Sequence, residues 1–307
     1  MDWVAFDWAW TSLMNYDELL KKVDEYQKKF KIQVIGESLF KRKIFAVEKT
    51  INKNFFTAIF VCSIHGRENI ATDLVCKMID DGLFENIKDF NLSFVLMANP
   101  DGVELSKNGI LSANKKYQKN LLKINKTSNN FELWKANGRG VDLNNNFDAR
   151  FKTNVNSYVP SSSGYVGKCA ESEPETKAIV SYLNELNPFF VISYHTKGEE
   201  IYYNFFQDEI RLLRDRVIAE RFEKSTGYVI KNPECSSSGG LKDYVVSKMK
   251  IPSITVELGS DLLIHPIEKD SLEEIFEKHK TIAKDLEFAY NVFIEFEEKL
   301  WHMKKSL

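Results

Sequence analysis

FFTAIFVCSIHGREN, residues 55–69, is a mostly apolar run that stops on a histidine and an acid three residues apart. From Phe55 to Ile64 the run has about half the length that a membrane-spanning helix needs, and polar residues bracket it, so it reads as a buried strand. The stretch from Asn69 to Ile79 has helical character, and LSFVLMA (residues 92–98) returns to a strand. Strand, helix, strand in that order is typical of α/β folds with a largely parallel or mixed sheet.

Further out, YDELLKKVDEYQKKF (residues 16–30) carries apolar residues at helical spacing, and KIFAVEKT (residues 43–50) is β-rich. FFVISYH (residues 189–195) and SITVELG (residues 253–259) are the later strands. Helices are expected over Glu173 to Leu186, where Pro174 suits a first turn, over Asp208 to Thr226, and over Ser271 to Lys299 with a break. The polar stretches Ser106 to Asn130 and Ser161 to Gly167 are expected as surface excursions. Trp3, Trp8 and Trp10 suit core or edge packing.

A chain of 307 residues with 43% hydrophobic content can bury one large core, so a single domain over residues 1–307 is expected. Within it, residues 1–15 would be an N-terminal extension and 289–307 a C-terminal helix or tail. The net charge of -2 comes from 42 basic and 44 acidic residues spread along the chain, which argues against nucleic acid as a partner and against membrane insertion. Oligomeric state is left open. Asp2 and Asp7 fall where a leader would be apolar, and Cys62, Cys76, Cys169 and Cys235 form no CxxC pair. Both observations point to a cytoplasmic, reducing setting.

His65 and Glu68 leave the chain where an apolar strand ends and a helix begins. Zinc accepts such nitrogen and oxygen donors, and a catalytic site wants three protein ligands plus a water. Alone, the HxxE spacing is weak evidence. His195 strengthens it, because it ends FFVISYH, and sites in open α/β sheets gather at the carboxyl ends of strands. Glu257 interrupts the apolar strand IPSITVELGS, where an acid is costly to bury without a purpose. Beside a metal-bound water it suits the role of proton acceptor and donor in amide hydrolysis. His265, in a loop before Pro266, His279 among helix charges and His302 near the end read as structural or solvated.

HGRE (residues 65–68), NPDG (99–102), GRGVDLNNNF (138–147), SYH (193–195) and TVELG (255–259) recur in the order seen in carboxypeptidase A-like metallopeptidases, which the chain resembles from about Tyr16 to Phe288. The resemblance implies a three-layer α/β/α sandwich around a mixed, roughly eight-stranded sheet. It implies one zinc ion on His65, Glu68 and His195, with Glu257 as the catalytic base and acid and Asp142 orienting His65. It also implies a cation for the developing oxyanion. Trp134-Lys135 matches the family's Trp-Arg pattern and points to Lys135, while Arg139 lies nearby and is preferred here.

On the substrate side the resemblance implies Arg67, Asn144, Asn145, Lys242 and Cys235. Asn144-Asn145 departs from the Asn-Arg pair with which the family's exopeptidases clamp a terminal carboxylate, and Asn supplies no charge. Cys235 falls where many members carry a tyrosine. Lys242, two residues past Ser238-Gly239-Gly240, occupies the position that sets side-chain preference, where a cation favours an acidic group. WKANGRGVDLN, SYHTKGEEIYY and SSGGLKDY look more like bacterial γ-D-glutamyl-diamino acid peptidases, so a small murein-derived peptide is the expected substrate. The competing readings are a conventional metallocarboxypeptidase, a deacylase of N-acyl amino acids on the same scaffold, and a non-catalytic module that binds cell-wall peptide.

Overall fold

The computed structural model describes residues 12–305 apart from 154, 187 and 232–238. Trp3, Trp8, Trp10 and Cys235 therefore lie outside the described residues. The first helix, α1 (Tyr16–Tyr26), begins at a reciprocal cap: the Asn15 side chain accepts from the Glu18 amide and the Glu18 carboxylate accepts from the Asn15 amide. Its buried stripe of Leu19, Val23 and Tyr26 faces the core.

Eight strands form one sheet. They are β1 (Lys31–Glu37), β2 (Lys43–Lys49), β3 (Thr57–Val61), β4 (Asn91–Val95), β5 (Phe190–Thr196), β6 (Glu200–Tyr202), β7 (Val229–Ile230) and β8 (Ser253–Leu258), ordered β1-β2-β4-β3-β5-β8-β6-β7. The four central strands β4, β3, β5 and β8 run parallel, β1 and β2 pair antiparallel on one side, and β6 pairs antiparallel with β8 on the other. The sheet is thus mixed, as expected. Every residue of β3, β4 and β5 is buried, the signature of a sheet covered on both faces.

Alternation along β3 divides the core. Ala58 and Phe60 join the cluster beneath α1, α2 (Ile70–Asp80), α6 (Glu209–Thr226), α8 (Leu272–His279) and α9 (Ile282–Lys305). Ile59 and Val61 join the opposite cluster with α5 (Pro174–Leu186) and with Leu241 and Tyr244 of α7 (Leu241–Tyr244). The break expected in the last helix falls between α8 and α9. Among the described residues no helix is long and apolar enough to cross a membrane.

One expectation needs correction. The polar stretch Ser106 to Asn130 contains a helix, α4 (Lys115–Ile124), following α3 (Pro100–Asn108). Its lysines mask a narrow apolar stripe: Leu121 is fully buried, and Tyr117, Leu122 and Ile124 pack against a separate cluster around Phe40 and Trp134.

Candidate metal centre

Three neighbouring parallel strands deliver the central groups. His65 lies just beyond the end of β3, His195 stands near the end of β5, and Glu257 near the end of β8, directly in register with His195. The turn carrying His65 is pulled tight. Gly66 donates its amide to the Lys135 carbonyl, and a Cβ on Gly66 would lie 2.3 Å from the Gly102 carbonyl oxygen, so only glycine fits. Asn99 ties the same place down by donating to the Ile64 carbonyl while its side-chain oxygen caps α3 at Gly102. The NPDG motif is therefore part of the frame. Asp101 in it accepts from Ser38, Phe40 and Arg42.

His65 Nδ1 is 2.8 Å from Glu68 Oε2, His195 Nδ1 is 3.0 Å from the same oxygen, and the two Nδ1 atoms are 3.1 Å apart. All three side chains are buried. Two imidazoles aiming the same type of nitrogen at one carboxylate, in a group that offers three donor atoms within 4.8 Å of one another, match what a cation demands. Tetrahedral zinc with donors at its usual distances would separate them by roughly 3.3 Å. Among the described residues Glu68 Oε1 is buried with no hydrogen-bond partner, a further lone pair for an ion. The residues fit zinc.

Each ligand imidazole is held from behind. His65 Nε2 is 3.1 Å from Asp142 Oδ1, and the other Asp142 oxygen accepts from the Gly164 amide at 2.9 Å. His195 Nε2 is 2.9 Å from Ser193 Oγ. These contacts fix the rings with Nδ1 inward. Although burial opposes its charge, His65 and Lys135 hold the Asp142 carboxyl well below the usual range. Glu257 goes the other way: burial and then the Glu68 charge raise its carboxyl to about 8 in the absence of a cation.

Lys135 and Arg139, the two candidates for the oxyanion cation, part company here. Arg139 Nε lies 3.1 Å from the buried Glu173 carboxylate, an ion pair that ties its loop to the start of α5. Lys135 Nζ instead sits 3.8 Å from Glu68 Oε1. Burial works against the Lys135 charge, but Glu68, Asp142 and Glu257 outweigh it and hold the ammonium above its ordinary range. Trp134, fully buried against Phe131, anchors the segment, and the Lys135 amide donates to the Ser162 carbonyl. The polar Ser161 to Gly167 stretch is thus a brace for the site.

Lys242 is the second correction. Its side chain is 6% exposed, and its Nζ donates to the Asn204 carbonyl and pairs with Asp243, so its charge is matched within the protein instead of awaiting an acidic substrate. Asn144 accepts from the Leu241 amide at the start of α7. Asn145 is half-buried, and its side chain makes no hydrogen bond among the described residues. Arg67 is also half-buried, with its Nε sealed from solvent and without a hydrogen-bond partner among the described residues. His265, expected as structural or solvated, lies in the loop before Pro266 with its Nδ1 3.4 Å from Thr196 Oγ1, one residue past His195. Burial, with Arg67 next, lowers it to about 4. Nothing periodic in the sequence could flag a single loop histidine that approaches only through the fold.

The sequence model described as zinc carboxypeptidase matches residues 16–280. The chain belongs to the zinc carboxypeptidase family. Among relatives, the γ-D-glutamyl-L-diamino acid endopeptidase 1 of Lysinibacillus sphaericus is 31% identical over 217 residues, covering 66% of this chain and 54% of that protein. The chain thus spans about half the length of that relative. Among solved structures, bovine thrombin-activatable fibrinolysis inhibitor in complex with tick carboxypeptidase inhibitor superposes with a TM-score of 0.74 at 18% identity, covering 94% of this chain and 99% of that one. The murein-tripeptide amidase of Escherichia coli O157 gives 0.52 at 19% identity, covering 85% and 94%. At these identities the structural likeness shows the family's α/β fold. The family uses zinc, and His65, Glu68 and His195 are the residues of this member that fit it.

Proposed function

We propose that the protein is a zinc-dependent peptidase that hydrolyses the γ-D-glutamyl–diamino acid bond of murein stem peptides. The hydrolytic part rests on the placement of Glu257 beside His195 with Lys135 at the edge of the same group. Zinc on His65, Glu68 and His195 would supply Lewis acidity toward the amide carbonyl and acidify a water. Glu257 would accept a proton from the attacking water and hand it to the leaving nitrogen as the C–N bond breaks. The Lys135 ammonium lies where it can offset negative charge developing on the carbonyl oxygen.

The substrate part is carried by one observation: Asn145 stands where an arginine would clamp a terminal carboxylate, and among the described residues its side chain makes no hydrogen bond. A neutral amide cannot replace a bidentate guanidinium, which speaks against general trimming of C-terminal residues. The similarity to the Lysinibacillus sphaericus endopeptidase supplies the alternative bond. Mass spectrometry of L-alanyl-γ-D-glutamyl-meso-diaminopimelate incubated with the protein, with and without a chelator, tests the reading. Release of diaminopimelate that stops on chelation supports it. Cleavage confined to ordinary C-terminal peptide bonds would overturn it in favour of a conventional carboxypeptidase.

A further inference from the structure

Across the sheet, His195, Glu257 and Glu200 form one row. Glu257 is in register with His195 on β5 and, on its other side, with Glu200 on the antiparallel strand β6. Paired residues project from the same face, and Tyr194, Val256 and Ile201 on the opposite face belong to the core cluster beneath α6 and α9. Glu200 therefore stands beside the proposed proton acceptor, one strand farther from His195. A carboxylate directly opposite another is destabilising unless a cation answers it. Among the described residues the cation paired with Glu200 is Lys231, whose Nζ lies 3.1 Å from Oε1. About half of the Lys231 side chain is exposed, against 17% for Glu200, so water competes for that pair and it holds weakly. The other carboxylate oxygen accepts from the Tyr202 hydroxyl, which burial and then Glu200 keep protonated. Two acids in one row, the second answered only from the surface, form a half-built cation site.

We infer that Glu200, with Tyr202, receives the distal ammonium of the leaving diamino acid, an inference that deepens the γ-glutamyl reading above and rests on it. Glu257 hands its proton to the leaving nitrogen, so the leaving residue passes on the β8 side of the metal group. Its side chain, running away from the metal, meets β6 next. Lys242 brings no free charge to that wall, since its Nζ is held by the Asn204 carbonyl and Asp243. A diamino acid carries a second amino group several carbons from the linked one, and it is protonated at neutral pH. An ammonium has three donors, enough to bond both the Glu200 carboxylate and the Tyr202 oxygen. Lys231 then swings fully into water. The same charge relieves the repulsion between Glu200 and Glu257, so the substrate completes what the sheet leaves unbalanced.

The test compares kcat/KM for L-alanyl-γ-D-glutamyl-meso-diaminopimelate and for the same tripeptide ending in L-2-aminopimelate, which keeps the distal carboxylate and lacks the distal amine. The zinc-loaded wild type should prefer the diamino peptide by about ten- to a hundredfold, the range for a charge-assisted hydrogen bond to a shielded carboxylate. In E200Q that ratio should collapse to within about twofold, with zinc content and Tm as checks on folding. K231Q, a change at the surface, should keep the ratio or raise it, because it removes the competing cation. Equal cleavage of both peptides by the wild type would overturn the Glu200 inference while leaving the γ-glutamyl reading intact. So would a ratio unchanged in E200Q or lowered in K231Q. If neither tripeptide is cut, the γ-glutamyl reading falls, and α-linked peptides ending in lysine or norleucine decide the rest. A Glu200-dependent preference for lysine there would still support ammonium recognition, and its absence, or no cleavage at all, would overturn that as well.

Discussion

His195 and Glu257 are register partners on the adjacent parallel strands β5 and β8, so an imidazole of the metal group and the carboxylate we propose as the proton acceptor leave the sheet side by side. The arrangement sets distance and direction through backbone hydrogen bonds rather than through a mobile loop. A side chain fixed this way suits proton transfer, which depends first on reach and then on pKa. Burial and Glu68 raise the Glu257 carboxyl, whereas a dication nearby favours its ionised form.

Glu257→Gln keeps the shape and removes the proton acceptor. Turnover should fall by about 10²–10⁴-fold while zinc stoichiometry, read by atomic absorption, stays at one per chain. A variant that lost both together would show Glu257 to be a metal ligand, contrary to this reading.

His65, Asp142 and Gly164 form a relay that ends on a backbone amide. Asp142→Asn removes the charge behind the His65 ring and allows the wrong nitrogen to carry the proton. Zinc should bind about 10- to 100-fold more weakly in competition with a chelator. Saturating zinc should restore most of the activity. Failure of added zinc to restore it would mean that Asp142 acts on the reaction directly.

Much of this site was legible because motif residues sit at the ends of apolar runs: His65 after FFTAIFVCSI, His195 at the end of FFVISYH and Glu257 inside SITVELG. A strand buried on both faces advertises itself, and its carboxyl end is where α/β sites form. Partnership between distant charges was not legible. Arg139 and Glu173 are 34 residues apart, and no local pattern tells that their side chains meet, so Arg139 looked available when it was not. Lys242 was misread for the same reason, its neighbour Asp243 and the carbonyl of Asn204 both turning toward it only in the fold. The helix α4 was hidden by its lysines, since a single buried leucine gives little periodicity to read.

Glu175 carries a prediction about pH. It is fully buried in α5, accepts from the Leu39 amide and the Asn137 side chain, and burial, with Asp101 next, raises its carboxyl from 4.5 to about 7. The unfolded chain ionises this group near 4.5 and the folded one only near 7, so its favourable contribution is complete below 4.5 and is lost as pH rises through 7. The loss amounts to about 3 kcal/mol for a group so fully desolvated. Urea denaturation of the wild type and Glu175→Gln from pH 4.5 to 8 checks the sign. The wild type should weaken relative to the variant across that window, and parallel profiles would remove Glu175 as the cause.

Lys135 and Arg139 can be told apart by what each removal damages. Lys135 lies 3.8 Å from Glu68 in the metal group, so Lys135→Met should lower kcat by about 10²–10³-fold, the usual loss of one fixed charge at a developing oxyanion. Its effect on KM should be smaller, because the charge it answers appears mainly as the carbonyl carbon is attacked. Arg139→Gln leaves the buried Glu173 carboxylate with Asn137 and Ser172 as its remaining side-chain partners, so stability should suffer rather than chemistry. A Tm lowered by several degrees with kcat within about threefold of wild type is the expected pattern. The reverse outcome, a kcat collapse in Arg139→Gln and near-normal kcat in Lys135→Met, would return the oxyanion role to Arg139 and require the loop to move on substrate binding.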